Sequence, residues 1–221
     1  MKKIMFLFTL LVFFTGCSIK DINNYEIDAV IEDAFEHTEY TANVVFDGYK
    51  YYLPRGINLV DKVDYNSKLL FNGNYYYLYI DVVSYYHKAE ISYVVNKNAY
   101  FSSDISYNGN FGYIEIIEKN DGIYNLEIFY NYAKIETEVP LDNLKEAVYN
   151  SIKILSSVTY NDVILNTIIG DNILNYQEEE FKLFESKREE GNFLDYIEEF
   201  GTYDEEEENI KDEDLLESEE G

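Results

Sequence analysis

Cysteine is all but missing from this 221-residue chain: Cys17 is the only one, so no internal disulfide is available and stability has to come from an ordinary hydrophobic core. Histidine is almost as scarce. His37 and His87 stand fifty positions apart, and with a single thiol they give no ligand spacing for zinc. They are also the only imidazoles that could serve a nucleophilic Ser, Thr or Cys. His37 falls near the expected end of a first helix, where a cation is favourable, and His87 follows Tyr85-Tyr86 at the expected end of a strand. No Gly-Xaa-Ser-Xaa-Gly elbow, phosphate loop or dinucleotide fingerprint occurs. The sequence therefore names no catalytic residue, no metal ligand and no cofactor, and the expectation is a protein that is not an enzyme.

Positive charge is in short supply as well, with 17 basic residues against 43 acidic ones and a net charge of −26. Nucleic-acid binding, which needs basic clusters to displace counterions from phosphates, is excluded. Residues 176–221 hold 20 of the acids and 4 of the bases, so the excess lies mostly in the tail. The same excess repels anionic lipid, and attachment to a membrane cannot rest on a basic patch. The carboxylate runs Asp204–Glu208 and Asp212–Asp214 lack the glycine turn and spacing of a calcium loop and read as solvated tail.

Long apolar runs are absent too. The longest opens the chain: Lys2 and Lys3 precede an apolar stretch from Ile4 to Phe14, about half of the roughly 20 residues that a spanning helix needs. Thr15 and Gly16 then lead into Cys17. Charge, apolar run and small residues form a secretory signal, and Phe14-Thr15-Gly16-Cys17 resembles the bacterial lipobox, with Phe14 where Leu is commoner. The resemblance implies recognition of Phe14, Thr15 and Gly16 by a signal peptidase, cleavage after Gly16 and a diacylglyceride on Cys17. It places the protein at the extracytoplasmic face of the cell membrane. Two acyl chains hold stably where one attaches only reversibly. On this reading residues 1–16 are the signal peptide, 17–24 a linker, 25–200 a single α+β domain and 201–221 an acidic disordered tail.

Within the body, Ile27, Val30, Ile31, Ala34 and Phe35 recur at helical spacing, with Asn23 or Asn24 to cap the start. From Thr41 to Val139 the pattern turns to strands, punctuated by Asp47-Gly48, Asn72-Gly73, Asn108-Gly109 and Asp121-Gly122, pairs that tolerate the positive φ of tight hairpins. Tyr124 to Tyr132 alternates apolar and mixed residues, as does Lys134 to Val139, so both strands are expected to be half buried. Pro140 stops the sheet, and Leu141, Leu144, Val148, Ile152 and Leu155 make a second helical stripe. A short helix over Val163–Ile169, a third stripe over 174–184 and a small segment over 193–200 follow. The expected fold is α+β: an antiparallel sheet of about six strands flanked by an N-terminal helix and C-terminal helices.

This order is similar to that of the Mog1/PsbP-like domains, a group that includes bacterial lipoproteins. The residues that carry the likeness are Phe46 to Ile57, a hairpin ending in Leu53-Pro54-Arg55-Gly56, and Leu144 to Tyr160, a helix running into Ser151-Ile152-Lys153-Ile154-Leu155-Ser156-Ser157. Residues 58–68, where such a domain often continues with a helix, show no helical stripe. The likeness implies an accessory or binding role and no catalytic residues.

What the chain has in abundance is tyrosine, 24 of them. Tyr49, Tyr51, Tyr75, Tyr77, Tyr85 and Tyr86 lie on neighbouring hairpins, where outward members would form an amphipathic platform for a protein partner or sugar rings. Two function classes follow. The preferred one is a noncatalytic surface lipoprotein binding another envelope or membrane protein through a tyrosine-rich sheet face. The alternative is an accessory or hydrolytic enzyme acting on cell-wall polysaccharide. An exposed aromatic patch would mark the first, and a deep pocket with two carboxylates of perturbed pKa the second. Among 43 acids, chance pairs in sequence say nothing.

Overall fold

The computed structural model describes residues 22–38 and 41–169. The leader with Phe14, Thr15, Gly16 and Cys17, the helices expected over 174–184 and 193–200, and the segment 201–221 lie outside the described residues. Among those described, no helix is long and apolar enough to cross a membrane.

The fold is α+β. The first helix, α1 (Ile27–Glu36), forms where the stripe predicts, but Asn23 and Asn24 belong to a preceding 3-10 turn (Ile22–Asn24), and the capping position is Glu26, whose side chain makes no capping bond. Strands β1 (Val44–Phe46) and β2 (Tyr49–Tyr51) turn at Asp47-Gly48, and β3 (Asn58–Val63), β4 (Asn66–Phe71) and β5 (Asn74–Ile80) follow. Helix α2 (Val82–His87) then leads through residues 88–100 to β6 (Phe101–Tyr107), β7 (Asn110–Glu118), β8 (Ile123–Tyr130) and β9 (Ala133–Pro140). Helix α3 (Leu141–Ser156), the short β10 (Thr159–Tyr160) and α4 (Asp162–Ile168) complete the described fold.

The ten strands among the described residues form two sheets, the larger of seven strands, in keeping with the expected antiparallel sheet of about six, and a smaller one of three. The larger has the order β3-β4-β5-β9-β8-β7-β6, antiparallel throughout, and the smaller the order β1-β2-β10. Asn72-Gly73 and Asn108-Gly109 hold positive φ at both residues, as the tight turns β4–β5 and β6–β7 require. The strand expected to run through Tyr132 stops at Tyr130, because Asn131 and Tyr132, at φ 52° and 56°, make another such turn. A tyrosine is unusual there, and the turn is held from several sides. Tyr160 Oη donates to the carbonyls of Asn131 (2.8 Å) and Tyr132 (2.9 Å), Asp81 N–H donates to Tyr132 O at 2.9 Å, and Asn131 Nδ2 donates to Val158 O at 3.1 Å.

One face of the large sheet is the core face. Helix α3 packs across β8 and β9, and α1 packs against α3. Val30, Ala34 and Phe35 of α1, and Leu144, Val148, Ile152 and Leu155 of α3, are sealed with Ile114, Leu126, Ile128, Ile135 and Val139 beneath. Leu141, counted in the helical stripe, is exposed at its first turn. Phe35 stacks on Tyr107, with ring centroids 4.6 Å apart, and meets Tyr130 edge-on, closing the end of α1 onto the sheet.

The other, outer face of the large sheet departs from the half-buried expectation. Glu127 and Phe129 of β8 and Lys134 and Glu136 of β9 all point there, and all are buried.

Candidate functional site

The six tyrosines singled out by sequence divide into three environments. Tyr49 and Tyr51 are 2 % and 0 % exposed. They flank the exposed Lys50 on β2, and their inward face packs with Phe46 and Tyr65 between the two sheets. Burial raises the pKa of both hydroxyls, and Ser67 faces them. They are core residues and leave the proposed surface. Tyr75 and Tyr77 stand on the outer face of β5, Tyr75 45 % exposed, with the Lys68 ammonium 4.0 Å from the Tyr75 ring centre and 5.7 Å from that of Tyr77.

Tyr85 and Tyr86 line an open groove between α2 and α4, about 490 Å³ in volume, with Lys88, Asp162, Val163 and Asn166. His87 is the last residue of α2, which corrects the expectation of a strand end here. Asp81 caps that helix by accepting from Ser84 N–H at 2.8 Å, and Lys88 ends it in the left-handed region. The capped turn sets both rings. Tyr85 Oη donates to Asp162 Oδ1 at 2.8 Å, and Tyr86 Oη to Asn166 Oδ1 at 2.9 Å. Burial, with the Asp162 bond second, pushes Tyr85 up to about 12. One face of its ring lies on Tyr160 at 3.7 Å between centroids, and the Lys88 ammonium stands 3.5 Å from the ring centre. Val163, 77 % exposed, forms an apolar lip. The groove offers rigid aromatic edges, hydroxyls held at fixed angles and an apolar lip.

The second constellation was not legible as one. Strand register places Ser102, Glu115, Glu127, Glu136, Tyr77, Lys68 and Asp61 directly opposite one another across the whole sheet. The three glutamates are consecutive in that row and 6 %, 9 % and 1 % exposed. In the adjacent row Asp104, Tyr113, Phe129, Lys134, Tyr79 and Asn66 are likewise opposite. Lys134 Nζ lies 2.8 Å from Glu136 Oε1, and Tyr113 Oη donates to Glu127 Oε1 at 2.6 Å. Glu127 and Glu136 share a side-chain hydrogen bond. Burial raises Glu127 to about 7; Lys134 and the Tyr113 bond pull against that rise, while Glu136 adds to it. A carboxyl pair that shares a proton is the outcome expected where like charges meet in a dry site.

A third grouping lies at the end of α1, where Asp33, Glu36 and His37 bring possible ligand atoms within 4.8 Å of one another. A cation already stands beside it. Lys153 Nζ donates to the His37 carbonyl at 2.7 Å, and burial brings its pKa down to about 8, opposed by Asp33. His37 Nδ1 is 2.8 Å from Asp33 O, so the ring caps its own helix, as a residue near a helix end does. The i, i+3, i+4 spacing was there to be read, and the helix-end reading of His37 fits what it does.

Tyr75 and Tyr77 on the outer sheet face and Tyr85 and Tyr86 in the α2–α4 groove therefore lie in two separate surroundings and do not make one platform. No protein-family model matches this chain, and no curated protein is similar to it.

Proposed function

We propose that the protein is a noncatalytic lipoprotein of the bacterial cell envelope, held at the extracytoplasmic face of the membrane by lipid on Cys17, and that it binds another envelope or membrane protein. The observation that carries the binding half is the α2–α4 groove, where Tyr85 and Tyr86 are fixed by Asp162 and Asn166 beside the bare Val163. Pre-organised aromatic side chains at an apolar lip lose little entropy when a protein partner docks. Sugar stacking is the poorer fit, since Tyr160 covers one face of Tyr85 and Lys88 stands close over the ring. The anchoring half rests on the Phe14-Thr15-Gly16-Cys17 pattern. The likeness to Mog1/PsbP-like domains points the same way, to an accessory rather than a catalytic role.

The test has two arms. Intact mass and membrane fractionation of wild type against Cys17→Ser should give a lipidated, membrane-bound chain and a soluble or unprocessed one; identical behaviour of the two would remove the anchor. Cross-linking on intact cells should then capture a partner that Val163→Asp loses, and capture that is indifferent to this change would remove the groove.

A specific observation also speaks for the alternative, an enzyme acting on cell-wall polysaccharide: Glu127, raised to about 7 beside Glu136, has the acidity of a general acid. Against it, both side chains are buried, and Glu115, Glu127 and Glu136 do not line the α2–α4 groove. Release of reducing sugar from wall polymer by wild type but not by Glu127→Gln would restore it.

A further inference from the structure

Residues 89–100 carry no regular secondary structure and run across the outer face, from the end of α2 to the start of β6. Such a segment has few backbone bonds of its own, so what fixes it is where its side chains land. Tyr93 is the main fixing point. Its ring stacks on Tyr113 with centroids 4.2 Å apart and planes within 3°. Its hydroxyl donates to Glu115 Oε2 at 2.7 Å and lies 2.8 Å from Ser102 Oγ, which also accepts the Asn96 N–H at 2.8 Å. At the other end, Tyr132 Oη donates to Ala89 O at 3.2 Å. Beyond Tyr93 the segment turns Val94 and Val95 outward.

Both anchors of Tyr93 lead into the glutamate row. Glu115 is the cross-strand neighbour of Glu127, and Tyr113, under the Tyr93 ring, donates to Glu127. The charged and titratable groups that face Glu127 are Glu115 from β7, Lys134 and Glu136 from β9, Tyr113 from β7 and Tyr93 from the segment itself; Tyr77 and Tyr79 of β5, Lys68 of β4, Asp61 of β3 and Asp104 of β6 lie further out along the same two rows. Glu127 and Glu136 thus share one buried ammonium, Lys134, and Glu115 adjoins Glu127 on the next strand. With a proton between Glu127 and Glu136 that pair balances Lys134, and without it the pair carries a second negative charge beside Glu115, under the stacked rings.

We propose that residues 89–100 are a proton-gated strap: while Glu127 and Glu136 share a proton, Tyr93 clamps the strap over the β6–β7 side of the outer face, and loss of that proton releases it. Release frees the Tyr113 ring and the carboxylates beneath, so the face presented to a partner differs between the two states. The direction follows from the chemistry: the strap is shut on the acid side and loosens as pH rises through neutrality.

The test uses the full chain. Lys97 is an exposed tryptic site within the strap, and its initial cleavage rate, followed by mass spectrometry and divided by that of a free peptide of residues 89–100, reports release without the protease's own pH response. The expected ratio rises roughly tenfold between about pH 6 and about pH 8 in wild type. Glu127→Gln, which keeps the shape but cannot ionise, should stay low throughout, and Tyr93→Phe should be high throughout. A level ratio in wild type, a rise in Glu127→Gln matching wild type, or a Tyr93→Phe ratio as low as wild type at acid pH would each overturn the proposal. Should Glu127→Gln not fold, carbon-13 titration of the glutamate carboxyls in wild type decides: a midpoint shared with the cleavage curve supports the gate, and midpoints that part company dismiss it.

Discussion

Tyr160 shows how much one hydroxyl can hold. It donates to two carbonyls of the Asn131-Tyr132 turn, and its ring carries Tyr85, so the small sheet, the β8–β9 turn and the groove meet at one side chain. Tyr160→Phe keeps the stack and removes the bonds. Urea denaturation should show a loss of about 1–3 kcal/mol, since the Asn131 carbonyl loses this donor and the Tyr132 carbonyl is left with Asp81 N–H. Gly112 presents the opposite constraint. A Cβ there would lie 2.3 Å from the Phe129 carbonyl oxygen and 3.0 Å from Tyr130 Cα, backbone that cannot swing aside. Gly112→Ala should therefore destabilise by about 1–3 kcal/mol, whereas alanine at Gly109, with open space but φ +79°, should cost about 1 kcal/mol; chemical denaturation of the pair separates crowding from backbone strain.

At the scale of elements, α4 is a seven-residue helix that could not persist alone. Asn161 starts it, its Oδ1 accepting from Ile164 N–H at 3.3 Å while its own N–H donates to Gly48 O at 2.8 Å. Asn161→Ala should cost about 1 kcal/mol and speed hydrogen exchange across residues 162–168 ahead of the large sheet, loosening the wall that holds Asp162 and Asn166. Elements also show where sequence was a sufficient guide. Asn72-Gly73 and Asn108-Gly109 announced their turns because their backbone geometry suits few other residues, and α1 and α3 showed through their stripes. β3 did not, because nearly all of it is exposed and an edge strand with no buried side has no alternation to display. The Asn131-Tyr132 turn hid behind a bulky residue whose positive φ is imposed by Tyr160 and Asp81, contacts distant in sequence. Tyr49 and Tyr51 alternate with Lys50 as expected, but alternation says that two residues share a face and not which side is core. The glutamate row was hidden for a related reason. Glu127 and Glu136 read as the wet side of their strands, and only the pairing of three strands in register brings them together under aromatic rings.

For the whole molecule, the protonated Glu127 sets a pH dependence of stability. Its carboxyl is raised in the fold from the ordinary 4.5 to about 7, so between those values the folded chain keeps a proton that the unfolded chain has released. The stabilising contribution is complete below about 4.5 and is lost as pH rises through about 7. Thermal unfolding of wild type, measured against Glu127→Gln at each pH, should show the wild type losing ground over that window, by an amount on the order of a few kcal/mol.

The burial of that row also decides what dissolved ions can reach. Among the described residues most charged side chains reach solvent, and about 1 M salt shortens the range of repulsion between such groups to roughly 3 Å. Glu127, Glu136 and Lys134 are sealed, with no layer of water in which counterions could gather. Added salt should raise the melting temperature of the chain as a whole and leave the wild-type minus Glu127→Gln difference where it was. Ionic strength would then tune the outside of this protein and acidity its interior, two independent environmental inputs read by one sheet.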